Sequence, residues 1–158
     1  MSRTKPDTLP RRALFGGRGT DGVMPWTDPE RLFDRCTGCG ACARACPQGI
    51  VATGRGGHPY LDFSAECTFC GACAEACADE VFDLTRLPAM AAQARIGAGC
   101  FETQGIACRA CEDSCPEDAL RLRPQLGGTA RIEVLDTCTG CGACVPVCPA
   151  NAVEIAHV

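Results

Sequence analysis

The chain has 158 residues, of which 16 are cysteine and 8 are aromatic. Discounting cysteine leaves roughly 36% apolar residues, too few large side chains for an ordinary core, so cysteine chemistry is expected to hold the fold. The net charge of −4 is unevenly placed; its acidic body argues against non-specific nucleic-acid binding, and no apolar run reaches the length of a membrane span.

In chain order, residues 1–28 read as a flexible basic tail, with Arg3, Lys5, Arg11, Arg12 and Arg18 against Asp7 in its first part. Such a tail is either solvated or a docking segment for a partner. Arg11-Arg12-Ala13-Leu14-Phe15 has the outline of a twin-arginine export signal. Gly16-Gly17-Arg18-Gly19 stands where that signal needs an apolar run, so a cytoplasmic location is expected. In a reducing cytosol, eight structural disulfides are not expected. Trp26 reads as a packing residue that anchors the tail, or as a docking aromatic.

The first cysteine run is Cys36-x2-Cys39-x2-Cys42-x3-Cys46-Pro47. Ile50–Thr53, a glycine-rich turn and Pro59–Phe63 then read as strand, turn, strand, with His58 a turn residue. The second run is Cys67-x2-Cys70-x2-Cys73-x3-Cys77, with Ala78 in place of proline. Val81–Leu84 reads as a closing strand, which completes a first unit over residues 29–86. The Ala-rich stretch from Leu87 to Ala98 predicts a helical linker over 87–99. A second unit, 100–158, opens on an irregular run, Cys100-x7-Cys108-x2-Cys111-x3-Cys115-Pro116. The hairpin Ala119–Arg123 and Ala130–Leu135 follows. Cys138-x2-Cys141-x2-Cys144-x3-Cys148-Pro149 and a closing strand at Val153–Ala156 end the chain.

This internal repeat uses all 16 cysteines. The C-x2-C-x2-C-x3-C-P run is the ligand pattern of bacterial ferredoxins that carry [4Fe–4S] clusters. Three thiols two residues apart can curl around one face of a cubane, and small Gly and Ala residues let the backbone approach it. The fourth cysteine follows a short helical turn and serves the other cluster of a pair. Zinc sites combine pairs of ligands across a long gap, which does not fit these runs. His58 and His157 have no ligand spacing either.

The fold class expected is therefore α+β: two tandem bacterial 2[4Fe–4S] ferredoxin-like units, cluster-stabilised, with small β-hairpins and short helices. Twenty residues separate Cys46 from Cys67 and twenty-two separate Cys115 from Cys138, against thirty from Cys77 to Cys108. Pairing of neighbouring runs is thus favoured. It gives Cys36, Cys39, Cys42 and Cys77 to one cluster, and Cys67, Cys70, Cys73 and Cys46 to its partner. Cys138, Cys141, Cys144 and Cys115 form the third set, and Cys100, Cys108, Cys111 and Cys148 the fourth. A nested pairing of outer with outer and inner with inner runs stays open. So does the role of Cys100, whose widened gap leaves three clusters as the alternative to four. Nothing in the sequence marks a nucleotide loop, a flavin site or a Ser/His/Asp set, so an electron-transfer or accessory protein is expected and not an enzyme.

The chain resembles the NapF family, ferredoxin-type accessory proteins of periplasmic nitrate reductase systems. The resemblance covers nearly the whole length. It rests on Arg11-Arg12-x-Leu14, Pro25-Trp26, Gly56-Gly57-His58-Pro59, the third motif with Cys108-Arg109-Ala110-Cys111-Glu112-Asp113-Ser114-Cys115, and Arg123-Pro124. It implies a cytoplasmic protein that acts on the molybdenum catalytic subunit NapA before export, in maturation, electron supply or both, alongside redox partner proteins. A general polyferredoxin subunit of another oxidoreductase complex is the alternative.

Overall fold

The structure is a computed structural model and describes residues 23–158. The first part of the basic tail, 1–22, lies outside the described residues. Residues 23–27, within the stretch assigned above to that flexible tail, are instead part of the core. Val23 through Thr27 are all buried, and Trp26 is 8% exposed. Its backbone N–H donates to the Ala89 carbonyl, and its carbonyl accepts from the Asp83 N–H at 2.7 Å. Its indole meets Phe69 edge to face, with ring centroids 6.1 Å apart. The packing reading of Trp26 is the one observed. The reason is apolar content: Val23, Met24, Pro25 and Trp26 are among the few large side chains this chain can bury.

Helix α1 (Pro29–Arg35) follows at once. Asp28 caps it by accepting from the Arg31 N–H at 2.8 Å, and proline occupies its first turn. Glu30 at its start and Arg35 at its end complement the helix dipole. Leu32 is its buried anchor. Among the described residues, the other α-helices are single turns inside the cysteine runs: α2 (Ala41–Ala45), α3 (Ala72–Glu75) and α4 (Ala110–Asp113). Turns this short are held by tertiary contacts and not by propensity.

Among the described residues, the strands form three antiparallel ribbons. β1 (Val51–Thr53) pairs with β2 (Pro59–Leu61), in register Val51↔Leu61. β4 (Leu120–Pro124) pairs with β5 (Ala130–Val134), in register Leu120↔Val134. These are the two expected hairpins. The third ribbon was not expected. Residues 92–96, inside the stretch assigned to a helical linker, form β3 (Ala92–Ile96), which pairs with the closing strand β6 (Val153–His157) from Ile96↔Val153 to Ala92↔His157. Alanine suits a helix locally, but here Ala92 and Ala94 alternate inward against the last motif. A Cβ at Gly140 would come within 2.4 Å of the Ala92 carbonyl oxygen. Pairing and close packing thus override helix propensity.

The closing strand expected at 81–84 is also absent. The Asp83 side chain accepts from the Thr85 N–H at 3.0 Å and from the Thr85 hydroxyl at 2.6 Å, which turns the chain there. Val81 remains a core residue at 2% exposure. The two halves therefore differ in how they close: the second by the β3–β6 ribbon, the first by Trp26 reaching across to Asp83 and Ala89.

Candidate iron–sulfur sites

The 16 cysteines fall around four clefts. The first is lined by Cys36, Cys39, Cys42 and Cys77, the second by Cys46, Cys67, Cys70 and Cys73. The third is lined by Cys115, Cys138, Cys141 and Cys144, the fourth by Cys100, Cys108, Cys111 and Cys148. Each set takes three cysteines from one run and the last cysteine of the neighbouring run in the same half. The grouping is sequential and not nested, and Cys100 stands with Cys108, Cys111 and Cys148 despite its widened spacing.

Among the described residues, no group of three or more His, Cys, Asp or Glu side chains converges closely enough for a single metal ion. Four thiols line each cleft instead. Each quartet is complete with cysteine alone. An all-sulfur set of four donors fits a [4Fe–4S] cubane.

Within each run the third cysteine is the buried one: Cys42, Cys73, Cys111 and Cys144 are all 6–9% exposed. Burial is the main force pushing the thiols of Cys73 and Cys144 up to about 12 and that of Cys111 to about 11. Cys42 and Cys67 are raised for the same first reason. Neighbouring cysteines add to each shift. Without a metal, such thiols would stay protonated; a bound cluster makes the thiolate form favourable. By contrast Cys39 and Cys70 are exposed, so the first and second sites each present one ligand to solvent.

A turn follows each run that the cysteine pattern alone does not reveal. Three residues after the last cysteine of each run, the backbone adopts positive φ: Gly49 (67°), Glu80 (50°), Asp118 (50°) and Asn151 (47°). Gly, Asp and Asn tolerate this region, and they were the available sequence signal. Glu80 is the exception, and the Arg31 guanidinium holds its carbonyl with bonds of 3.1 and 2.8 Å. In the second half this turn aims the next amide back at the ligand. The Ala119 N–H donates to Cys115 Sγ and the Ala152 N–H to Cys148 Sγ, both at 3.3 Å. The Ala94 N–H of β3 donates to Cys138 Sγ at 3.5 Å, and the Gly38 N–H to Cys36 Sγ at 3.4 Å. N–H donors of this kind offset thiolate charge.

The irregular third run is closed by a residue that sequence reasoning passed over. A short 3-10 turn, Glu102–Gln104, fills the widened gap. Glu102 is 8% exposed, and its Oε1 accepts from the Cys108 N–H at 2.5 Å. The Thr103 hydroxyl donates to the Cys100 carbonyl at 2.7 Å. These two bonds tie both ends of the insertion, and so bring Cys100 and Cys108 to one cleft. Glu112 ties the same run to β4, accepting from the Leu122 N–H at 3.2 Å and pairing with Arg109 at 2.8 Å.

His58, expected as a turn residue, follows a 3-10 turn and accepts the Gly54 N–H on its carbonyl at 2.9 Å. Its ring packs against Phe33 with centroids 4.9 Å apart. It lines none of the four clefts.

The chain is similar in sequence to known proteins. Two family models, both described as a 4Fe-4S dicluster domain, match residues 28–78 and 106–153. The ferredoxin-type protein NapF of Escherichia coli K12 is 39% identical, over 94% of each chain. The protein of that name from Haemophilus influenzae is 40% identical, again over 94% of each. A component of an ion-translocating oxidoreductase complex from Methanosarcina acetivorans is 35% identical, over 76% of this chain and 46% of its own. Two dicluster halves, sulfur-only quartets and 39–40% identity over 94% of the chain to NapF proteins from two genera lead to one family: the chain belongs to the NapF ferredoxin-type [4Fe–4S] proteins.

Proposed function

We propose that the 16 cysteines hold four [4Fe–4S] clusters in the four quartets described, and that the protein serves the catalytic subunit of periplasmic nitrate reductase in the cytoplasm before export. The observation that carries the first part is the sorting of every cysteine into four clefts of four. A bound cluster supplies one-electron redox chemistry. The chain's own residues set the conditions for it. The buried third cysteine of each run keeps water from one face. Amides of Gly38, Ala94, Ala119 and Ala152 offset charge on their thiolates. Exposed Cys39 and Cys70 mark where a redox partner can approach closely.

The nitrate reductase role is supported by the NapF name of the relatives that match along nearly the whole chain. The partner is the unexported precursor of the molybdenum subunit, NapA, and the basic residues 1–18 are a candidate docking segment for it. Iron and sulfide counts on anaerobically purified protein test the first part: about 16 irons are expected. About 12 would mean that the Cys100 site is not filled. Mixing reduced protein with the NapA precursor tests the second. Electron transfer supports a carrier. No transfer, with an unassembled partner when the protein is missing, supports an assembly role instead.

A second reading, a general polyferredoxin subunit of another oxidoreductase complex, is favoured by the Methanosarcina relative. Failure of the protein to bind NapA precursor, together with normal nitrate reductase in its absence, would select that reading.

A further inference from the structure

The two halves meet through the cysteine loops themselves. The Cys67 N–H, in the second run, donates to the Cys141 carbonyl, in the fourth, at 2.7 Å. Beside this bond Phe63, 4% exposed and just past β2, lies against Gly142. A Cβ at Gly142 would sit 2.0 Å from the Phe63 ring. The glycine is required twice, by that contact and by its φ of 82°. The second site is thus joined to the third by a backbone bond between two proposed ligand residues and one aromatic plug. Within each half, the exchanged last cysteine of each run joins the first site to the second and the third to the fourth.

We infer that the Phe63–Gly142 seat and the Cys67–Cys141 bond are a built junction that fixes the two dicluster halves as one body, with the four sites in the unbranched order first, second, third, fourth. Phe63 is then a positioning residue: it lines none of the four clefts but holds the second and third in register. The inference rests on the reading that the quartets hold clusters. A connection that merely tethered two independent ferredoxin units would need neither an inter-loop backbone bond nor a ring seated on a motif glycine.

The test uses full-length, cluster-loaded protein whose iron count and EPR signal are first established, so that failure of the cluster reading is seen separately. Phe63→Ala, Phe63→Leu, Gly142→Ala and the double variant Phe63→Ala/Gly142→Ala are compared by hydrogen exchange and by the half-life of the visible chromophore in denaturant. With iron unchanged, Phe63→Ala should speed exchange by about tenfold in both the 66–70 and 140–143 segments, while Phe63→Leu stays close to the parent. Because the ring and the added methyl compete for one space, the double variant should be at least about fivefold longer-lived than the product of the single effects implies. Exchange that rises only around residue 63, or effects that multiply simply, would overturn the junction. Should Phe63→Ala lose iron, Phe63→Leu against Gly142→Ala still decides. Gly142→Ala destabilising the second run as well as the fourth supports the junction, and an effect confined to the fourth refutes it.

Discussion

Replacing Glu102 with alanine isolates what lets an irregular run form a site. The carboxylate is almost fully buried and accepts the Cys108 amide at 2.5 Å, inside the seven-residue gap between Cys100 and Cys108. A hydrogen bond to a charged group contributes about 1.5–3 kcal/mol, and each 1.4 kcal/mol is tenfold. Cluster retention at the fourth site should therefore fall by roughly 10- to 100-fold, while the three regular sites keep theirs. Iron is counted over time under a chelator, with the parent as reference. The variant should lose about a quarter of its iron rapidly and settle near 12 per chain. Glu102→Gln keeps an acceptor and removes the charge, so it should lie much closer to the parent. Iron released from the alanine variant at the parental rate, or from all four sites together, would refute the tethering role.

Three further outcomes are expected. Ala94→Pro removes the amide that donates to Cys138 Sγ, and one lost weak N–H···S bond of about 0.5–1 kcal/mol corresponds to a potential roughly 20–40 mV more negative at one site, read by EPR-monitored titration. Glu112 is held below its ordinary 4.5, first by the Leu122 amide and, on the same side, by Arg109. Its contribution is complete above about pH 4.5 and is lost as pH falls through the lowered folded value, so the difference in chromophore lifetime between parent and Glu112→Gln should shrink below that pH. Asp28→Ala should cost about 1 kcal/mol through the lost cap of α1, and Asp28→Asn much less, because it keeps an oxygen acceptor for the cap and the half-exposed bridge to Arg86 is screened by solvent; thermal loss of the chromophore compares the two.

The cysteine sets were legible because ligand spacing is a local property. Three thiols within seven residues curl on one loop whatever surrounds them, and the shorter gaps inside each half favoured the pairing that the clefts display. Both hairpins were legible for the same reason, since alternation and turn residues lie side by side in the chain. Residues 92–96 were misread because alanine carries no strand signal of its own. They become β3 only when Val153–His157 arrives to pair with them and Gly140 leaves room for Ala92. Val81–Leu84 looked like a strand by composition, yet the Asp83 side chain and the Trp26 backbone claim its hydrogen bonds. Glu102 lay unread in the insertion because its role depends on burial, which sequence does not print. The sequence by itself determined which cysteines belong to one loop and what chemistry a sulfur-only set can hold. Only the tertiary structure decided that Cys100 reaches its quartet, and that Phe63 sits on Gly142 to join the halves, since both depend on contacts between segments far apart in the chain.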